Sequence, residues 1–331
     1  MTDETPHRSG YVALVGRPNV GKSTILNALL GQKIAATTHK PQTTRKNLLG
    51  VLNPPGAQLL LLDTPGHHQA KGPLNRYMVA QAEQAIAEAD VIALVVEARE
   101  DDRVTPGNER ILGVLSQSTK PVVLVLNKVD RVKNKEGMLL QIQRFESEIG
   151  ERLAAVVPIS ASKKKGLDRL LKELAGALPE GPSYFEGEEV TNESERSIVA
   201  EFVREKVMLA TKDELPYSAA VTLDSFEDKR PKIVRIAATI HVERPSQKAI
   251  VIGRRGERIK DIGTRARKDI EYLVGTKVFL ELHVRVTGDW SSDAGAMAKL
   301  GYGGPSGDEP EVEISPQLLA EAMAQIEEEE A

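Results

Sequence analysis

The feature that most constrains this chain is the run GRPNVGKS, from Gly16 to Ser23, which directly continues the apolar segment YVALVG at residues 11–16. A GxxxxGK[ST] spacing that leaves an apolar strand and opens a helix predicts a phosphate-binding loop. Glycines let the backbone wrap a phosphate, while the loop amides and the helix N-terminus supply positive potential. Lys22 is spaced to reach the outer phosphates and Ser23 to offer a hydroxyl to Mg²⁺. The expected cradle runs through Gly16, Asn19, Val20, Gly21, Lys22, Ser23 and Thr24. A chance match in a glycine-containing turn is the competing reading, and the strand before and helix after weigh against it.

Such a loop belongs in an α/β sheet, and the pattern from Tyr11 to about Leu178 fits one. Apolar runs at 11–16, 58–63, 91–98, 122–127 and 154–160 alternate with helix-length mixed segments. The runs are continuous rather than alternating, as in parallel strands buried on both faces. A further strand is expected near Asn47 to Leu52.

Four more elements follow in order. DTPG (Asp63 to Gly66) ends a strand, which places Asp63 to hold Mg²⁺ through water and the Gly66 amide near a γ-phosphate. NKVD (Asn127 to Asp130) ends another, and the Asp130 carboxylate can accept two hydrogen bonds from the N1 and N2 donors of guanine, an arrangement adenine lacks. Asn127 is expected at the other edge of the base, and the Lys128 stem over its face. SAS (Ser160 to Ser162) ends the next strand, with the Ala161 amide reaching guanine O6. Separately, NKVD could be a polar turn and SAS a helix cap. Together, at the carboxyl ends of successive strands, they predict GTP or GDP rather than ATP. The polar stretch between the first helix and DTPG suits a switch loop, with Thr44 as the Mg²⁺-side threonine and Thr43 as the alternative. Lys22, Thr44 and Gly66 form the expected catalytic set, and Ser23, Thr44 and Asp63 the expected metal set.

Composition matters for what lies beyond this domain. The 331 residues suit two domains, and the absence of cysteine excludes disulfide frameworks, thiolate metal sites and cysteine nucleophiles. The start, MTDETPHRSG, has no apolar signal core, and no run approaches the roughly 20 residues needed to span a bilayer. The net charge of −4 hides a split: residues 248–268 carry eight Lys or Arg against two acidic residues, whereas 306–331 carry nine acidic residues and no basic one. The expected division is a flexible N-terminus (1–9), a first domain (10–180), a Pro/Gly/acidic linker (181–195), a second domain (196–304) and an acidic, solvated tail (305–331), with a weak helix over Pro316 to Glu329.

In the second domain, a helix near Arg196 to Ala210 precedes strands near Ala219 to Phe226 and Ile233 to Val242, then a helical region interrupted by GRRG (Gly253 to Gly256), then a strand over 277–286. GxxG between two helices, in a basic setting and in that order, predicts a KH-type loop that brings amides and cations to a nucleic-acid backbone. A solvated basic helix is the alternative. Lys248, Arg254, Arg255, Arg258 and Lys260 are the expected phosphate contacts, around Gly253 and Gly256. Ile250, Val251 and Ile252 are the expected apolar lining, which implies single-stranded RNA rather than DNA. Aromatics make up only 4% of the chain, so the groove should be aliphatic. Trp290 is expected to cap the domain rather than touch RNA.

GRPNVGKST, PQTTR, DTPGHH, NKVD and SASKKKG, followed by VIGRRGERIK and GDWSSDAGAMAKLGY, resemble the Era family of translation-factor-class GTPases over about Tyr11 to Gly303. The resemblance implies a Ras-like P-loop GTPase domain followed by an α+β type II KH domain, with GTP/GDP and Mg²⁺ as ligands and rapid nucleotide exchange. It also implies binding of the 3′ end of 16S rRNA, a role in 16S rRNA processing and 30S subunit biogenesis, and a monomer in the cytoplasm with peripheral contact at the inner membrane. Asn19 resembles the asparagine by which potassium-dependent relatives recruit K⁺. One departure is His67, which directly follows DTPG where the family usually carries an apolar residue; an exposed switch histidine is the favoured reading over a catalytic base. Two other readings stay open: a P-loop kinase acting on a small acceptor, and a membrane-associated signalling switch.

Overall fold

The structure, a computed structural model, describes residues 7–66, 72–187, 189–211, 215 and 218–303. The readings of His67 and of the acidic tail with its helix lie outside the described residues.

The first domain is a six-stranded sheet. Its strands are β1 (Arg8–Val15), β2 (Leu48–Leu52), β3 (Ala57–Asp63), β4 (Val91–Glu97), β5 (Val122–Asn127) and β6 (Leu153–Pro158), in spatial order β2-β3-β1-β4-β5-β6. All neighbours are parallel except β2, which pairs antiparallel with β3. Helices α1 (Lys22–Leu30), α2 (Pro73–Glu88), α3 (Pro106–Leu115), α4 (Lys135–Ile149) and α5 (Leu167–Ala177) make the connections. The central strands are buried on both faces, which explains why their sequences are uninterrupted apolar runs. Because β1, β3, β4, β5 and β6 are parallel, the turns that follow them all open at one end of the sheet, where open α/β sheets bind ligands.

The ends of this domain differ from expectation. Arg8 and Ser9 are not part of a free N-terminus but pair with Ala57 and Gln58 as the start of β1. The linker is strapped along the open edge of β2: the Val51 amide donates to the Val190 carbonyl at 2.9 Å and the Thr191 hydroxyl to the Leu49 carbonyl at 2.6 Å. Gln58 accepts from the Tyr184 and Phe185 amides and donates back to the Phe185 carbonyl. A polar, proline-containing segment thus satisfies edge groups that would otherwise be left unpaired.

The second domain runs α6 (Glu195–Ala210), β7 (Ala220–Lys229), β8 (Ile233–Val242), α7 (Pro245–Ile252), α8 (Glu257–Val274), β9 (Val278–Val286) and α9 (Ala294–Lys299). Its sheet is β7-β8-β9, antiparallel then parallel. Helix α6 packs on α8 and β7, burying Val199, Phe202, Val203 and Val207. Trp290 is fully buried, stacked on Tyr302 at 5.5 Å with its indole N–H donated to the Ser218 carbonyl. It packs in one cluster with Leu74 and Met78 of α2, so its place is the junction between the domains rather than a nucleic-acid surface.

Candidate nucleotide and RNA sites

The loop after β1 enters α1 at Gly21, whose φ of 105° is left-handed. A Cβ there would lie 2.3 Å from Asn127 Nδ2, so only glycine lets the loop close against the β5 turn. Lys22 is buried, and its amine donates to the carbonyls of Gly16 (3.1 Å) and Arg17 (3.2 Å). Burial pushes its pKa down to about 8, against the opposing pull of Asp63.

Three oxygens converge beside it. The Ser23 hydroxyl donates to Asp63 Oδ2 at 2.6 Å, the Thr44 hydroxyl lies 2.9 Å from Ser23 Oγ, and Thr44 also donates to Asp63 Oδ2 at 3.2 Å. Thr43 instead turns into its own loop, bonded to Thr38 and to the Lys40 carbonyl. Asp63 is fully buried, and its second oxygen, Oδ1, accepts no hydrogen bond from the described residues. A buried carboxylate with one orphaned oxygen and two hydroxyls on the other is a hard-oxygen donor set that fits Mg²⁺. Burial raises the Asp63 pKa while Lys22, Ser23 and Thr44 lower it.

Lys22, Ser23 and Thr44 line a cavity of about 540 Å³ that also borders Gly66, Thr24, Lys128 and Ser162. In the turns after β5 and β6, the Ser160 hydroxyl donates to Asp130 Oδ1 at 2.6 Å, and this bond holds the exposed Asp130 carboxyl below the usual carboxylate range. An ionised, oriented acceptor at that point is what reading a two-donor purine edge requires.

Asn127 and Ala161 also take part in joining the turns that carry the site. Asn127 is 3% exposed; its Nδ2 donates to the Val20 carbonyl at 2.8 Å, and its Oδ1 accepts from the amides of Lys128 (2.8 Å) and Ala161 (3.1 Å). The Ala161 amide is therefore turned to Asn127, and this one side chain ties the turns after β1, β5 and β6 together. Val20 is likewise core, contributing its carbonyl. Lys128, left-handed at φ 65°, donates from its amine to the Asn19 carbonyl at 2.6 Å and pairs with Glu97 at 3.1 Å. Glu97, Arg131 and Leu209 also line the cavity. Glu97 was readable as the last residue of a strand, but Leu209 comes from α6 of the second domain and carries no local signal.

In the second domain, GRRG joins α7 to α8 through Gly253 (φ 73°, ψ 177°), Arg255 (φ 52°) and Gly256 (φ 77°). Arg254 and Arg255 are exposed. Beside the loop, a groove of about 440 Å³ lies between α8 and β9, bordered by Ile259, Lys260, Gly263, Arg267, Leu280 and Leu282. Its lining is mixed rather than aliphatic, with Ile259, Leu280 and Leu282 beside Lys260, Thr264, Arg267 and Glu281, and it is not the expected one. Val251 is fully buried because three consecutive residues of α7 cannot share a face, and Ile250 and Ile252 are only half-buried. Arg258 is turned back to the Ile250 carbonyl at the end of α7, and Lys248 borders a separate hollow with His283 and Arg285. Among the described residues, no helix is long and apolar enough to cross a membrane.

Comparison with known proteins agrees with this geometry. A family profile described as 50S ribosome-binding GTPase matches residues 11–128, and a KH domain profile matches 214–291. The chain is 49% identical to GTPase Era of Geobacter metallireducens over 302 residues, covering 90% of this chain and 99% of that one. It is 44% identical to GTPase Era of Pseudomonas putida over 304 residues, covering 92% and 99%. Among solved structures, Era in complex with MgGDPNP and nucleotides 1506–1542 of 16S ribosomal RNA superposes with a TM-score of 0.84, at 40% identity, over 90% of this chain and 99% of that one. The chain belongs to the Era family of GTPases, enzymes that hydrolyse GTP, with a Ras-like domain carrying the nucleotide turns and a KH domain behind it.

Proposed function

We propose that the chain binds Mg·GTP in the cavity of the first domain and holds the 3′ end of 16S rRNA in the α8–β9 groove, and that hydrolysis times its action in 16S rRNA processing and 30S subunit assembly. The observation that carries the reading is a groove lined by Ile259, Leu280 and Leu282 together with Lys260 and Arg267, next to an exposed GRRG loop, in a chain whose solved Era relative holds a 16S rRNA fragment and MgGDPNP. Phosphate contacts from Arg254, Arg255 and Lys260 would supply affinity, and the groove would take unstacked bases.

On the nucleotide side, Lys22 and the amides from Gly16 to Thr24 hold the phosphates, Gly66 contributes its amide, and Asp130 selects guanine. Ser23, Thr44 and Asp63 hold Mg²⁺, which when bound neutralises charge on the transferring phosphoryl group. The Asn19 side chain donates to the His39 carbonyl of the switch at 2.7 Å; a K⁺-assisted reading rests on the resemblance of Asn19 to the asparagine of potassium-dependent relatives, and equal kcat in K⁺ and Na⁺ buffers would remove it.

The test is crosslinking to cellular RNA, with sequencing of the bound fragments, using the full chain loaded with a GTP analogue or with GDP. Enrichment at the 3′ end of 16S rRNA that differs between the two states is expected. Fragments spread over the transcriptome, or equal recovery in both states, would overturn the target or the coupling respectively.

A further inference from the structure

The segment 33–46, which carries Thr44, has no helix or strand of its own. The first domain holds it through Asn27, which accepts the Ile34 and Ala35 amides, through Ser23 and Asp63 at Thr44, through Asn19 at the His39 carbonyl and through Asn75 at Gln42. Further ties come from the second domain. Glu205 Oε1 accepts the Thr37 amide at 3.0 Å, and Glu205 Oε2 accepts from Lys33 at 2.5 Å. Lys33 also pairs with Asp269 of α8 at 2.6 Å, and the Lys40 amine donates to the Thr211 carbonyl. Arg204 donates to the carbonyl of Thr43, the residue before Thr44. That guanidinium is fully buried and is aimed by Glu201, which accepts from its Nε at 3.0 Å. Leu209, on the same helix, borders the nucleotide cavity itself.

We infer that α6 is a built-in part of the GTPase site: Arg204 and Glu205 are positioning residues that fix the switch backbone so that the Thr44 hydroxyl reaches Ser23 and Asp63. A loop without internal structure samples many conformations, and only those that bring Thr44 to the metal set support hydrolysis. A buried guanidinium on the adjoining carbonyl, and a buried carboxylate on the Thr37 amide, select that subset across the domain boundary. The inference rests on the reading of Thr44 given above.

The test uses the full chain and compares Arg204→Met, Arg204→Lys, Glu205→Gln and Thr44→Ala in single-turnover GTP hydrolysis, with GDP affinity and the half-saturating Mg²⁺ concentration measured alongside. Arg204→Met is expected to slow hydrolysis about tenfold and raise the Mg²⁺ requirement several-fold in the GTP state only, with GDP affinity within about twofold, and Arg204→Lys to recover part of the rate. A natively folded Arg204→Met, judged by circular dichroism, that hydrolyses at the parent rate would overturn the inference. So would a loss of GDP affinity parallel to the loss of rate, which would mean general loosening of the fold. If Arg204→Met does not fold, Glu205→Gln decides by the same two criteria. A parent-like rate in Thr44→Ala would instead sink the reading of Thr44 itself, which separates the two failures.

Discussion

Two glycine-punctuated loops, GRPNVGKS and GRRG, are both proposed to meet phosphates, yet they are built in opposite ways. The first is tied from several sides: Lys128 holds the Asn19 carbonyl, Asn127 holds the Val20 carbonyl, and Lys22 is only 6% exposed with its amine on two loop carbonyls. The second is open, with Arg254 and Arg255 exposed at a turn of three positive-φ residues. The difference follows from what each phosphate is doing. A transferring phosphoryl group gains from charges fixed in a water-poor site before reaction, because they need not reorganise. An RNA backbone that must be gripped and released gains from accessible, screened charges.

The contrast breaks most visibly at Lys22. Lys22→Ala removes a buried cation whose charge acts on Asp63 and is expected to slow single-turnover GTP hydrolysis about 10²–10³-fold, as for loss of a preorganised charge. Filter binding of RNA to the nucleotide-free protein should stay within about twofold of the parent, since no phosphate-binding residue of the groove is touched. A parallel loss of RNA affinity would mean that the two loops are not independent.

Gly253→Asp is the reciprocal change. At φ 73° and ψ 177° the backbone is open to glycine alone, and a Cβ would lie 2.6 Å from the Arg258 Cβ. The added carboxylate would also repel an RNA backbone held at this loop. RNA affinity is expected to fall about 10–100-fold by fluorescence anisotropy, with RNA-free hydrolysis unchanged.

What could be read from the chain alone sorts along the same line. Gly16 to Ser23, Asp63 and Asp130 were legible because each lies at a fixed offset from a strand end, and parallel strands bring those ends together. Thr44 was legible only as one of two neighbours, and the choice over Thr43 needed the course of the switch loop. Asn127 was legible as a site residue, but its bonds to the Val20 carbonyl and to the Lys128 and Ala161 amides were not, since the need to tie three turns together appears only once they adjoin. The groove lining was misread at Val251 because residue type alone does not give the phase of α7, and Ile259, Arg267 and Leu282 come together only through the packing of α8 on β9. Arg204 and Leu209 had no local signal at all, because their roles arise across a domain boundary.

A finer break of the comparison is pH. The folded pKa of Lys22, pushed down by burial to about 8, lies below the ordinary lysine value. The charged amine is the form that binds phosphate, so affinity is full below that pKa and falls as pH rises through it. GDP affinity measured by calorimetry should therefore drop about fourfold between pH 7 and 8.5. A flat profile over that range would mean that the amine is not desolvated as its burial implies.

The smallest expected effect is the most specific to the open loop. An exposed arginine contacting one phosphate contributes through counterion release, so its removal changes the salt dependence of RNA binding more distinctively than it changes affinity. Arg254→Ala should reduce the slope of log K against log salt by about 0.7, the value for one phosphate on a single strand. It should do so whatever the RNA sequence, because a backbone contact carries no base information. Arg258→Ala, whose guanidinium is turned to the Ile250 carbonyl, should leave that slope unchanged. An equal loss of slope in both variants would mean that Arg258 swings out to the RNA, and that the open loop is rebuilt on binding in a way the tied phosphate loop is not.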